Sequence, residues 1–306
     1  MLILGIETSC DETSASVLEI KETMSADGLV HHNIEVVSNI VSSQIAKHAP
    51  FGGVVPSLAA REHVTNLPRV LKLGLGDFRM AEIDLIAVTA GPGLISSLLV
   101  GTAFAKALAY KHGKKITSVN HIEGHVYSNW LPPHNESYKL KAISYKLFPA
   151  LCLIVSGGHT QLILMRNHGK YQLIGETLDD AAGEAFDKIA RILGLGYPGG
   201  PIIAAEAAKF KNQMSKIKMT DQKLEIKLPR PMIGSRNFNF SFAGLKTAVL
   251  YLVRDLTKDH RLEKIRRQIA SEAQGAIVDV LIAKTVRAVR EFKVKSIMLS
   301  GGVSAN

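Results

Sequence analysis

Apolar residues recur along the chain in short alternating runs, each closed by a turn rich in glycine or hydroxyl side chains. LILGIE (2–7) and SASVLEI (14–20) flank the polar stretch TSCDET, which predicts a hairpin with a close backbone approach at Gly5. PALCLIV, SGGHT and QLILM repeat that arrangement near residues 149–166. Two echoed hairpins about half a chain apart predict two similar α/β domains facing one another across a cleft.

Between them, Asn33 to Ser42 reads as a strand, and PSLAAREHVTNLPRVLKL (56–73) carries apolar residues at helical spacing. Ile83 to Thr89 is a buried strand, AGPG a turn, and Leu94 to Tyr110 an Ala- and Gly-rich helix able to pack closely on a sheet. Strand, glycine turn and helix N-terminus together suit an anion, although the same pattern also makes a plain tight connection. KKITSVN adds a short strand, and residues 132–147 form a polar connector that separates domains 1–135 and 148–306.

In the second half, Asp179 and Asp180 are placed to cap a helix from about Ala181 to Leu193, which GLGYPGGP ends. Asp187 and Lys188 read as its solvated face. Lys209 to Arg236 is a basic, weakly patterned run, either simply solvated or able to hold phosphates. FSFAGLKTAVLYLVRDL predicts a capped amphipathic helix, and Arg261 to Phe292 one long helix or two shorter ones. VKSIMLSGGVSAN is a strand and a glycine turn, a pattern that ordinarily opens a helix, so the chain is expected to stop short of its natural C-terminus.

Composition narrows the classes. With 306 residues, 46% hydrophobic and 21% charged, the chain is globular and large enough for two domains. Its apolar runs fall well short of the roughly 20 residues of a membrane span, and the N-terminus has neither a basic region nor a cleavage site, so no membrane and a cytoplasmic setting are expected. Cys10 and Cys152 are too few for a disulfide framework, and both are expected to be packing residues at the ends of buried strands. A net charge of +10 fits a polyanionic partner, though many basic proteins bind no nucleic acid.

The sharpest chemical signal is HIEGH, His121 to His125. On a helix its two imidazoles share one face and can close on one metal ion; the alternative is a chance pair on a surface helix. In the zinc-protease pattern HExxH the glutamate directly follows the first histidine, whereas here Ile122 does. Glu123 lies about 200° around the helix from His121, which disfavours protease chemistry. The pair follows a strand directly, at the carboxyl end where open α/β sheets place ligand groups.

Taken in order, GIETSCDET, SSQIAKHAPFGGVVPSLAAREH, AGPGL, NHIEGH, VSGGHTQL, DDAAGEAFDK, GYPGGP, FSFAGLKT and SGGVSAN resemble the TsaD/Gcp/Kae1-type tRNA N6-adenosine threonylcarbamoyltransferases, in a form similar to bacterial TsaD. The resemblance implies an actin-like, Hsp70-like (ASKHA) fold of two RNase H-like domains. It implies transfer of the threonylcarbamoyl group of threonylcarbamoyl-AMP to the adenosine beside the anticodon in tRNAs reading ANN codons. It further implies one divalent metal ion per subunit, iron first and zinc as the alternative, on His121 and His125. Ile154, Val155, Ser156, Gly157 and Gly158 fall on the family's donor-binding loop, and Asp187, Gly200 and Asn306 on its nucleotide contacts. Asp11 and Glu12 would face the reacting group, one of them as general base. TsaB and TsaE are the implied protein partners, with TsaC supplying the donor. Two departures stand out: the family's third metal ligand, an aspartate beyond SGGVSAN, has no counterpart before Asn306, and Ala204 stands near a position where some members carry an acid. The alternative function is a catalytically incompetent nucleotide-binding scaffold. An ATP-hydrolysing sugar kinase or chaperone of the same fold would lack the histidine pair.

Overall fold

The computed structural model of the chain describes residues 1–24, 30–131, 147–214, 226–258 and 260–306. It divides into two compact units, Met1–Ser144 and Tyr145–Asn306. The polar connector expected at the boundary lies almost wholly outside the described residues.

Unit 1 is built on strands β1 (Leu2–Glu7), β2 (Glu12–Met24), β3 (Val30–Ser43), β4 (Leu85–Gly91) and β5 (Lys115–Asn120). Their order is β3-β2-β1-β4-β5, with β1–β3 antiparallel and β4 and β5 parallel to β1. Helices α1 (Ile45–His48), α2 (Pro56–Leu75), α3 (Ile95–His112) and α4 (His121–Tyr127) complete it. Alternation in β1 sends Leu4 and Ile6 into a core with Val17, Leu67, Ile86 and Val88. The α3 stripe is small, as its composition predicts: Ser97, Gly101, Ala105 and Ala109 are its buried residues. A Cβ on Gly101 would stand 2.2 Å from Thr8 Oγ1, so this glycine is what lets α3 settle on the β1–β2 loop.

Unit 2 repeats the first four positions of that order. β6 (Ala150–Val155), β7 (Thr160–Asn167), β8 (Lys170–Glu176) and β9 (Ser296–Ser300) run β8-β7-β6-β9, with β9 parallel to β6. The same mixed strand order in both sheets is that of the RNase H-like unit, and the chain has the actin-like (ASKHA) fold class. Its helices are α5 (Ala182–Ile192), α6 (Gly199–Met214), α7 (Ala243–Lys258) and α8 (Leu262–Phe292). Helix α8 is one continuous helix of 31 residues. The core joins β6 and β7 to α5, α7 and α8 through Leu151, Leu162, Phe186, Phe240, Phe242 and Ile277. Among the described residues no helix is long and apolar enough to cross a membrane.

Three expectations are corrected here. Asp179 and Asp180 do not cap α5, whose N-cap is Ala181 without a side-chain hydrogen bond. Asp179 instead accepts from the amides of Phe242 (2.8 Å) and Ala243 (3.2 Å), capping α7 from 63 and 64 residues away. Asp180 is bridged by Lys188 (2.6 Å) and Lys246 (2.9 Å), so Asp180 ties α5 to α7 and Lys188 is paired rather than lying on a solvated face. Cys152 is buried in β6, but Cys10 sits exposed in the β1–β2 loop and is not a packing residue. Within the basic run, Lys216, Lys218 and Lys223 lie outside the described residues. Arg230 is held by Glu272 and Asp279 on α8, which makes it a strut of the fold.

Lys284 on α8 is fully buried. Its ammonium donates to Ser235 Oγ (2.8 Å) and to the Asn237 carbonyl (3.1 Å), while Arg287 donates to the carbonyls of both residues. Burial, and then the Arg287 charge, push Lys284 down from its ordinary 10.5 to about 8. Between these values the unfolded chain binds the extra proton, so stability rises with pH. The melting midpoint of the wild type relative to Lys284→Met should therefore climb as pH is raised from 8 to 10.5; a pH-independent difference would contradict this assignment.

Candidate active site

The β5 strand ends at Asn120, whose Oδ1 accepts from the amides of Ile122 (2.9 Å) and Glu123 (3.3 Å) and so starts α4 at His121. The helix places His121 and His125 one turn apart, as their spacing predicts. Their rings meet edge to face with centroids 4.7 Å apart. His121 Nδ1 lies 3.2 Å from Glu7 Oε2 and 3.2 Å from Ser9 Oγ. A carboxylate can only accept, so Nδ1 carries the proton and Nε2 presents a lone pair.

Glu7 is the residue that sequence reasoning missed. It closes β1 on the face opposite Leu4 and Ile6, over a hollow of about 160 Å³ that Gly5, Ser14, Ser16 and Thr89 also line. Its carboxylate accepts from Thr89 Oγ1 (2.6 Å), the Ser9 amide and His121. Burial alone would raise its pKa, but the hydrogen bonds from His121, Ser9 and Thr89 prevail and hold it at about 2. The only available signal was alternation, which turns Glu7 away from the core and gives no partner.

Two neighbouring imidazoles, one of them oriented by an ionised carboxylate, suit a divalent metal in donor type and spacing. Among the described residues no group of three His, Cys, Asp or Glu side chains gathers at one point. The residues present thus fit as two ligands, leaving further positions to oxygen donors.

Asp11 is half-buried in the β1–β2 loop, and Glu12 opens β2 opposite Ser43. Burial, followed by the charges of Asp11 and Glu7, raises the Glu12 carboxyl above its ordinary range. That shift makes it the better proton acceptor of the two types of acid assembled here, since Glu7 is held strongly acidic.

In unit 2 the five residues expected on the donor-binding loop run from the end of β6 into a turn. Ile154 and Val155 are buried residues at the end of β6, paired to Gln161 and Thr160. The turn itself is Ser156 to Gly158, closed by Ser156 N donating to His159 O (2.8 Å) and His159 N to Ser156 Oγ (3.0 Å). Open space surrounds the Cα atoms of Gly157 and Gly158 where a side chain would otherwise stand. Helix α5 seats against this turn through Gly183, whose amide donates to Ser156 O.

Asp187, Gly200 and Asn306 do come together. Asp187 Oδ1 accepts from the Gly199 amide (2.7 Å) at the start of α6, and Asn306 Nδ2 donates to Gly200 O (2.7 Å). Gln274 on α8 donates to Asn306 Oδ1 (2.7 Å), a partner that the sequence did not suggest. A Cβ on Gly199 would lie 2.4 Å from Phe186 O, so α5 and α6 meet backbone to backbone beside Asp187.

Residues 35–306 match the family model described as TsaD: tRNA N6-adenosine threonylcarbamoyltransferase. The chain is 46% identical over 309 residues to the tRNA N6-adenosine threonylcarbamoyltransferase of Thermosipho africanus, covering 100% of this chain and 82% of that protein. It is 42% identical over 308 residues to that of Bacillus subtilis, covering 100% of this chain and 79% of the relative. Among solved structures, the Aquifex aeolicus member of the Ppx/GppA family aligns over 100% of this chain and 95% of its own, at 12% identity and a TM-score of 0.39.

Proposed function

Because the chain belongs to the TsaD family, the tRNA N6-adenosine threonylcarbamoyltransferases, we propose that His121 and His125 hold a divalent metal and that the unit 2 cluster holds the nucleotide of the donor. The chain is a transferase that places a threonylcarbamoyl group on N6 of an adenosine in tRNA, forming t6A. In the proposed reaction the donor is threonylcarbamoyl-AMP and the acceptor is the adenosine beside the anticodon. The single observation that carries the site assignment is the Glu7–His121–His125 arrangement, in which a half-buried carboxylate fixes the tautomer of one of two adjacent imidazoles.

The reaction asks for little covalent chemistry from the protein. The exocyclic amine attacks the carbonyl of a mixed anhydride; a C–N bond forms, the C–O bond to phosphate breaks, AMP leaves and the amine loses a proton. A bound divalent ion supplies Lewis-acid polarisation of that carbonyl. Glu12, with its raised pKa, takes the amine proton, and Asp11 shares the loop that aims it. For the nucleotide, the Ser156–Gly158 turn offers backbone amides to phosphate and Asp187 offers a carboxylate to ribose hydroxyls. Asn306, fixed by Gly200 and Gln274, presents an amide beside them. Iron in the metal site, with zinc as the alternative, belongs to the same proposal. So do TsaB and TsaE as partners, TsaC as the source of donor, and a cytoplasmic setting.

The test is to incubate the protein with threonylcarbamoyl-AMP, unmodified tRNA, TsaB and TsaE, then digest the tRNA and look for t6A. Absence of t6A would overturn the reading. Gly183→Ala probes the nucleotide end separately. The new Cβ would stand 2.5 Å from Ser156 O and 2.7 Å from the Gly157 Cα. Such overpacking costs about 1–3 kcal/mol, and displacement of the turn should weaken AMP binding in calorimetry. Wild-type AMP affinity in this variant would remove the turn from the site.

A further inference from the structure

The motif SSQIAKHAPFGGVVPSLAAREH is not used by the chemistry above, yet it builds a buried polar network directly behind the Cys10–Glu12 loop. His48 and His63 are fully buried, as is Thr13, and Gln44 is 1% exposed. Burying four such groups is costly unless every polar atom finds a partner, and here the partners run in one direction. The Val55 amide donates to His48 Nδ1 (3.2 Å), which leaves the proton on Nε2, and that nitrogen donates to Gln44 Oε1 (3.1 Å). The Gln44 amide group is thereby oriented with its nitrogen toward His63 Nδ1 (3.3 Å) and Ala59 O (3.4 Å). Thr13 Oγ1 donates to the same His63 Nδ1 (2.8 Å), so His63 too keeps its proton on Nε2. That proton is donated to the Cys10 carbonyl (2.9 Å). One residue on, the Gln44 backbone amide holds the Asp11 carbonyl (3.0 Å).

We infer that His63 is a positioning residue for the transfer reaction: its neutral imidazole, oriented by Thr13, Gln44 and His48, clamps the backbone of the loop that presents Asp11 and Glu12. Burial pushes His63 below its ordinary pKa, outweighing the Cys10 carbonyl and the nearby acids Glu7 and Asp11, which is consistent with a ring that stays neutral. Two successive carbonyls of the loop are thus tied to residues 44 and 63, which holds the backbone on either side of Asp11 and leading into Glu12. The inference rests on the reading of Asp11 and Glu12 as the reacting acids.

The experiment compares His63→Gln with His63→Asn in the complete transfer assay. A glutamine amide nitrogen reaches the place of Nε2 and keeps the bond to Cys10 O; an asparagine reaches only the Nδ1 side and loses it. His63→Asn should lower kcat between about 10- and 100-fold, the scale of a small misplacement of catalytic groups, with little change in the KM for donor. Amide hydrogen exchange at residues 10–12 should quicken in the same variant. His63→Gln should restore both kcat and slow exchange. Equal loss of kcat in the two variants, tracking their melting midpoints, would overturn the inference, as would wild-type kcat in His63→Asn. Asp11→Asn and Glu12→Gln distinguish the two levels: if both keep wild-type kcat, the acid assignment fails, while faster exchange in His63→Asn still measures the clamp.

Discussion

His121→Ala should strip the divalent metal from the purified protein and lower kcat for t6A formation by more than about 100-fold. The scale follows from the usual 10–100-fold cost of removing a group that merely orients a ligand; removing a ligand itself must cost more. The site has little reserve, because among the described residues no group of three or more His, Cys, Asp or Glu side chains is placed to hold a metal. With His121 gone, His125 retains one bond and no chelate. Elemental analysis of the wild type and variant reads the first effect and nucleoside analysis of tRNA the second. Unchanged metal content in His121→Ala would end the role proposed for this pair.

Glu7→Gln should weaken metal affinity by about 10–100-fold without altering the fold. The exchange is nearly isosteric, and the amide oxygen can still accept from Thr89 or Ser9. What it loses is charge. Glu7 at a pKa of about 2 is fully ionised at neutral pH, and its negative charge makes the His121 ring a better electron donor and holds the Nδ1–H tautomer. Titration of metal-free protein with Co²⁺, followed by its visible absorption, measures this without reference to turnover. If the wild type binds and Glu7→Gln binds equally well, Glu7 is only a structural carboxylate. If neither binds, the metal assignment itself falls.

Much of this site was legible in the sequence because its determinants are local. Alternation and glycine turns delimited both hairpins, and spacing alone placed His121 and His125 on one helical face. What escaped was long-range. Glu7 shows no pattern with residue 121, and only the parallel pairing of β1 with β4 and of β4 with β5 brings them together. Asp179 looked like the cap of the helix that follows it in sequence, yet it serves α7, which the Thr177–Phe240 bridge carries alongside. Lys188 looked solvated because its partner Asp180 lies eight residues away, off the helical repeat. Ile154 and Val155 resembled loop residues only through family correspondence; their apolar character already suited the buried end of β6. The TsaD resemblance supplied the reaction, which no spacing could have done.

The strand order also sets a timetable. In unit 1 every described strand, and the helix bearing both histidines, is complete by Tyr127. In unit 2 the central strand β6 waits for a neighbour about 150 residues further along the chain, since Ala150 pairs with Ser296. Chains emerge from the ribosome N-terminus first and domains fold as units, so the metal ligands can be assembled while β6 still has one open edge. The nucleotide cluster, which needs Asn306 just beyond β9, takes shape after the metal ligands.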